Sequence, residues 1–424
     1  MREMKDSGVE WIGQIPKDWS ISPLKYNYEV VAGATPESSK SDYWDGDIVW
    51  ITPADFKTKD VYVERGSRYI TKLGFDSCST SIIPKGNIIF SKRAPIGSVV
   101  INSKDLCTNQ GCLSCINKDI NVNNKYYYYV LSIYTDVFEL FGSGTTFKEI
   151  SGNVFSNIIL PYPCVEVQNT IVNFLDEKCS EIDTLTSDIQ KQIDILEQYK
   201  KSVIMESVTK GLNPDAEMKD SGIEWVGQIP VSWHIHPVSI YFDERKNKNR
   251  LGKESNLLSL SYGQIIRKDI NTIGGLLPES FNTYNIVEKD DIIIRPTDLQ
   301  NDKRSLRTGL VKEHGIITSA YIGLKPKRFV CSAYFHYLLH VYDVMKVFYN
   351  MGNGVRQGLN YSEFAKLMLI APSFDEQQEI TDYLDKKCLE IDTIISDKKK
   401  QLEVIAEYKK SLIYEYVTGK KEVM

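Results

Sequence analysis

Phe174–Thr209 reads FLDEKCSEIDTLTSDIQKQIDILEQYKKSVIMESVT. It recurs at Tyr383–Thr418 as YLDKKCLEIDTIISDKKKQLEVIAEYKKSLIYEYVT, with 20 identities in 36 positions. In the first copy Leu175, Cys179, Ile182, Ile189, Ile193, Leu196 and Val203 fall at steps of three, four and seven. In the second, Leu384, Cys388, Ile391, Leu402, Ile405, Tyr408 and Leu412 do the same, although Lys398 interrupts the stripe. This near-heptad spacing, with Glu, Asp, Lys and Gln on the other faces, predicts two amphipathic helices. Neither copy contains Pro or Gly; Gly211 and Pro214 stop the first helix and Gly419 the second. At 1.5 Å per residue each spans about 50 Å. A stripe this narrow cannot be buried alone. The expectation is that the helices pack on each other, antiparallel, through those fourteen side chains as a coiled coil.

A second repeat lies outside the helices. Met4–Trp19 (MKDSGVEWIGQIPKDW) and Met218–Trp233 (MKDSGIEWVGQIPVSW) share twelve of 16 positions. A third echo joins Gly142-Ser143-Gly144 to Gly352-Asn353-Gly354, and Pro163 to Pro372. The chain therefore reads as two copies of one unit. Residues 20–141 and 234–351 show little resemblance to each other, so matched joints surround two different surfaces. Ile82–Phe90 and Ile286–Ile294 read as strand, turn, strand, whereas Lys125–Phe141 and Ala333–Met351 have helical spacing. The expected class is α+β: two mixed α/β domains at residues 1–165 and 213–373, separated by long helices at 166–212 and 374–424. A pseudo-twofold axis would relate the copies, with the two domains at opposite ends of a rod.

Composition bounds the function. The 424 residues are 42% hydrophobic and 25% charged, an ordinary globular balance. No apolar run approaches the ~18–20 residues that span a bilayer. The polar N-terminus lacks a signal-peptide core, so a cytoplasmic protein without a membrane is expected. Eight cysteines thinly spread over such a chain predict free thiols. Cys107, Cys112 and Cys115 have no second CxxC pair, so small buried residues on a strand are expected rather than a metal site.

The net charge of −5 is unevenly shared: residues 218–373 hold 20 Lys/Arg against 15 Asp/Glu, while the helical segments are acidic. Arg295, Lys303, Arg304, Arg307 and Arg356, with Lys92, Arg93 and Lys148 in the first module, lie in polar stretches marked by Gly or Pro where loops are expected. They are the candidate DNA contacts, set against the plainer reading of solvated cations; Arg, Asn and Gln pair bidentately with base edges.

Catalytic signatures fail. Phe141-Gly142-Ser143-Gly144 lacks the strand that precedes a methyltransferase cofactor loop, and Leu160-Pro161-Tyr162-Pro163 is not an amino-methyltransferase tetrapeptide. Pro214-Asp215 and Glu217-Met218-Lys219 crowd a nuclease-like set into one linker, and no phosphate-binding GxxxxGK[ST] loop occurs. No catalytic residue, metal ligand or cofactor is expected.

The SG(V/I)EW(I/V)GQIPxxW segments, the G(S/N)G turn, the (F/Y)LDxKCxEIDT…YKKS(V/L)I helices and the trailing VTxG together resemble the specificity subunit of type I restriction–modification enzymes. The resemblance covers nearly the whole chain, twice over. It implies two target-recognition domains that read a bipartite double-stranded DNA site, one half-site each. It implies conserved helices that dock two copies of an adenine-N6 methyltransferase (modification) subunit, with restriction subunits in the full complex. It implies no catalytic centre, and it transfers no base-contacting residue, because the recognition domains diverge. The acidic net charge departs from a typical DNA binder. A two-headed protein-binding scaffold, or an atypical nuclease or self-contained methyltransferase, remain the competing readings.

Overall fold

The computed structural model describes residues 2–56, 60–93, 95–143, 148–270, 280–297, 299, 306–351 and 358–423. The chain forms two compact units, Met1–Ile189 with Lys399–Met424, and Gln190–Lys398. Each unit takes part of both long helices.

In the first unit a short hairpin, Met4–Asp6 against Gln14–Pro16, leads to a five-stranded sheet. Its strands are β1 (Tyr28–Ala32), β2 (Tyr62–Val63), β3 (Ile88–Ser91), β4 (Val99–Asn102) and β5 (Cys112–Asn117), in the order β1-β5-β3-β4-β2. Successive strand residues point to opposite faces. Ile88 and Phe90 join a core with Tyr126, Tyr127, Val130, Phe138 and Phe155, whereas Ile89 packs with Ile51, Ile83, Val100, Leu106 and Cys112. Burial on both faces is why the strand reads as an unbroken apolar run.

The second unit repeats this plan. A hairpin, Met218–Asp220 against Gln228–Pro230, precedes β6 (Phe242–Glu244), β7 (Ile292–Ile294), β8 (Thr308–Leu310) and β9 (Ile322–Pro326), ordered β6-β9-β7-β8. Ile292 and Ile294 face one core and Ile293 the other. Cys107 lies on the strand Cys107–Thr108, and Cys112 and Cys115 on β5; all three are buried free thiols, and burial pushes the Cys107 thiol up to about 11.

The sequence blurred the shorter helices. Lys125–Phe141 is two helices, α1 (Asn124–Ser132) and a second over Thr135–Phe141, broken at Ile133–Tyr134. The later segment holds α3 (Ser332–Val344), then turns at Lys346, whose φ is 61°, into a 3-10 turn over Val347–Asn350. An apolar face persists across such breaks, so periodicity alone cannot locate them.

The long helices are α2 (Val165–Lys210) and α4 (Phe374–Val417), each starting nine residues before the repeated 36-mer. Buried glutamines anchor those added turns. Gln168 Nε2 donates to Pro163 O at 2.9 Å and its Oε1 accepts from Asn123 N at 2.8 Å. Gln377 Nε2 donates to Pro372 O at 3.0 Å and its Oε1 accepts from Cys331 N at 3.0 Å. Gly211 (φ 77°) and Gly419 (φ 69°) close the helices in the left-handed conformation, which favours glycine.

The helices run antiparallel within each unit. In the first unit Phe174 meets Tyr416, ring centroids 4.3 Å apart, and Asp183 pairs with Lys409 at 2.6 Å. In the second, Lys398 donates to Gln192 at 2.6 Å and Lys200 pairs with Asp392 at 2.7 Å. Partner numbers fall as chain numbers rise. Leu175, Cys179, Ile189, Ile193, Val203, Leu384, Cys388, Ile391 and Leu412 are buried, and Ile182, Leu196, Leu402 and Ile405 half-buried. One expected seam residue is misassigned. Tyr408 is 58% exposed, because the alternating four-three steps run through Ile405, Lys409 and Leu412. Lys409 lays its stem in the seam and takes Asp183 as its counter-ion. Ile395, absent from the expected stripe, is buried.

Candidate nucleic-acid interface

Strand register brings the same loops together in both units. In the first, Ser91 pairs with Cys112, Phe90 with Val99 and Leu113 with Ala32. The loops after β1 and β3 and the turn before β5 therefore leave one end of the sheet. In the second, Ile294 pairs with Thr308 and Ile322, and Glu244 with Leu324. The segments after β6 and β7 share the corresponding end.

Lys92 and Arg93 open the β3–β4 loop. Ile150 N donates to Lys92 O at 3.1 Å, which lays residues 148–150 alongside. Lys148 is exposed there. Glu149 lies 2.7 Å from Lys92 Nζ and 3.5 Å from Arg93 Nη1, so one carboxylate partly neutralises both cations. The structure thus gathers all three first-module candidates. In the second unit Arg295 is exposed at the foot of the β7–β8 loop, and Leu359 N donates to Pro296 O at 3.0 Å, matching the Ile150–Lys92 contact. Lys303, Arg304 and Arg356 lie outside the described residues.

Arg307 is not a surface cation. It is 1% exposed, its backbone N–H donates to Asp343 Oδ2 at 2.9 Å, and its guanidinium turns inward. Charge and a polar neighbourhood suggested a loop; packing against α3 buries the residue at the start of β8. Burial of this kind removes Arg307 from direct contact with a large ligand.

Other polar groups at these ends escaped the sequence reading. In the first unit the turn Asn109-Gln110-Gly111 precedes β5; Asn109 Oδ1 accepts from Gly111 N at 2.9 Å, and Gln110 is exposed with its amide against the Thr35 hydroxyl. Lys92 N donates to Gly111 O at 2.9 Å, joining this turn to the β3–β4 loop. In the second unit Lys246, Lys248, Arg250 and Lys253 follow β6. The buried Asn249 amide donates to Glu254 O at 2.9 Å and accepts from Glu254 N at 3.2 Å, closing a turn that presents Arg250 and Lys253 to solvent. Arg245 anchors the segment by two hydrogen bonds, 2.7 and 2.8 Å, to Asp291. Burial pushes the Asp291 carboxyl up, against the pull of that guanidinium. The KNKNRLGK run from Lys246 to Lys253 was the available signal.

Among the described residues no group of three or more His, Cys, Asp or Glu could hold a metal ion. Among the described residues no helix is long and apolar enough to cross a membrane.

The fold defines a class: mixed α/β units with loop-bearing sheet ends, built on two long amphipathic helices. Residues 16–195 match the type I restriction modification DNA specificity domain. The MjaIX specificity subunit of Methanocaldococcus jannaschii is 40% identical over 190 residues, 44% of this chain and 43% of that one, so the match spans less than half of that relative. The putative MjaX specificity subunit of the same organism is 24% identical over 438 residues, 97% of this chain and 96% of that one. A chain solved for the structural basis of complex assembly and conformational transition of the type I R-M system has the same fold, with a TM-score of 0.71 and 13% identity over 95% of this chain and 98% of that one.

Proposed function

We propose that this chain is the DNA-specificity subunit of a type I restriction–modification complex. Each target-recognition domain, residues 1–165 and 213–373, reads one half-site of a bipartite duplex sequence with the loop end of its sheet. The helices of residues 166–212 and 374–424 form an antiparallel coiled coil that docks methyltransferase subunits, two copies, and restriction subunits. The chain supplies no catalytic group or cofactor of its own and works in the cytoplasm.

The observation that carries this reading is the β3–β4 and β7–β8 hairpins. Corresponding loops leave corresponding sheet ends, yet one begins Lys92-Arg93-Ala94-Pro95 and the other Arg295-Pro296-Thr297-Asp298. A shared scaffold with different polar loops suits two different base sequences.

Mapping N6-methyladenine in cells with and without this gene tests the reading. The expected result is a bipartite motif modified only when the gene is present. An unchanged methylome, in cells that hold the methyltransferase subunit, would reject it.

A further inference from the structure

Each candidate recognition loop is anchored from inside by a buried polar side chain at the foot of its own hairpin. In the first unit this is Ser91, the last residue of β3 and fully buried. Its hydroxyl lies 3.0 Å from Arg93 O and 2.7 Å from Pro95 O, sharing one proton between them, and its carbonyl accepts from Gly97 N at 2.9 Å. The loop it braces is short, residues 92–98.

In the second hairpin, described at residues 295–297, 299, 306 and 307 between its strands, the exposed Arg295 stands where Ser91 stands in the first. Here Arg307 reaches across from the other strand. Its Nη1 donates to Thr297 O and, at 3.4 Å, to Arg295 O. Leu359 N holds the intervening Pro296 O. Three consecutive carbonyls are thereby fixed. Pro296 has no N–H, so ladder pairing cannot continue through it and the donors must come from elsewhere. Arg307 is itself held. Its carbonyl accepts from Arg295 N at 2.9 Å, its N–H donates to Asp343 Oδ2 at 2.9 Å, and its Nε lies 3.8 Å from Asp343 Oδ1. Both side chains are 1% exposed. Burying such a pair incurs desolvation that a well-packed apolar pair would avoid, so its contribution here is geometric.

We propose that Arg307 and Ser91 are positioning residues for sequence recognition: each fixes the backbone at the described foot of its own unit's loop, residues 295–297 and 93–95 respectively through their carbonyls at 295, 297, 93 and 95, so the bases read by that unit depend on a side chain that touches no DNA. This rests on the specificity-subunit reading above.

The test maps N6-methyladenine in cells that express the full chain with its methyltransferase partner. Arg307→Met should relax one half-site, raising modification of single-mismatch sites about tenfold relative to the cognate, within the range a base contact provides. The other half-site should stay intact. Ser91→Ala should relax that other half-site instead. Arg307→Lys, which keeps the charge but not the planar fork, should fall between Arg307→Met and the wild type. Unchanged selectivity, or equal loss at both half-sites in both variants, overturns the proposal, the second result marking a general loss of stability. Ser91→Ala removes a single oxygen and decides the matter if Arg307→Met does not accumulate. A wild-type chain that directs no motif would instead reject the specificity reading, and this proposal with it.

Discussion

At the scale of single residues, the same side-chain type serves opposite ends. Arg93, Arg295 and Lys148 are cations at exposed or half-exposed loop positions, while Arg307 is a buried brace. Lys92 is intermediate, its side chain 14% exposed and paired with Glu149. Lys148→Ala and Arg295→Ala should each weaken DNA binding by the assembled complex across all sequences if they meet phosphate, lowering the salt slope by about one per contact. Relaxation of one base position at ~1–3 kcal/mol marks a base contact instead. Glu149→Gln should raise non-specific affinity, because Lys92 and Arg93 lose their shared counter-ion. Filter binding or fluorescence anisotropy over a salt series measures all three; an unaltered slope in every variant would remove these residues from the interface.

At the scale of elements, heptad register decides which face of a helix is buried. Ile395 and Tyr408 form a matched pair for testing it, one buried and one 58% exposed on the same helix. Ile395→Ala should cost about 2–4 kcal/mol, as truncation of a buried isoleucine does. Tyr408→Ala should stay within about 0.5 kcal/mol, the usual range for surface sites. Chemical denaturation of both variants checks the assignment, and equal losses would refute the register. The Asp183–Lys409 and Asp392–Lys200 pairs occupy matching positions of the two copies. Each is partly exposed and contributes about half a kcal/mol, so their value lies in fixing register more than in stability.

At the scale of the whole molecule, α2 carries the chain out of the first unit and α4 carries it back. If the helices separate the half-sites, their length sets the gap. Four extra residues lengthen a helix by about 6 Å and rotate it by about 40°, and duplex DNA advances 3.4 Å per base pair along each strand. Matched four-residue insertions near Lys191 and Lys400 keep the antiparallel seams paired. They should leave both half-sites unchanged and widen the gap by about one or two base pairs. An insertion in only one helix shifts its seam against an unshifted partner and should abolish activity. Methylome mapping distinguishes the outcomes: an unchanged gap with full activity means that spacing is set elsewhere, and altered half-sites mean that the helices take part in base readout.

The two long helices and the burial of most of their apolar stripe were legible in the residue order, because heptad spacing is local. The residue order also located one strand of each hairpin, since Ile88-Ile89-Phe90 and Ile292-Ile293-Ile294 are apolar on both faces, but not their partners: Ile83 bridges Leu106 and Asn285–Val287 pairs with Gly315–Ile317. Only the tertiary structure decided which polar residues share a sheet end. Gln110 and Thr35 meet across 75 positions of chain, and Arg250 follows a strand paired far along the sequence at Ile322–Pro326. The seam reading failed at Tyr408 and the cation reading at Arg307 for one physical reason. Burial is a property of what a side chain packs against. An aromatic ring can face solvent, and a guanidinium can be buried, when partners such as Asp343 and the carbonyl of Thr297 are brought to it from distant parts of the chain.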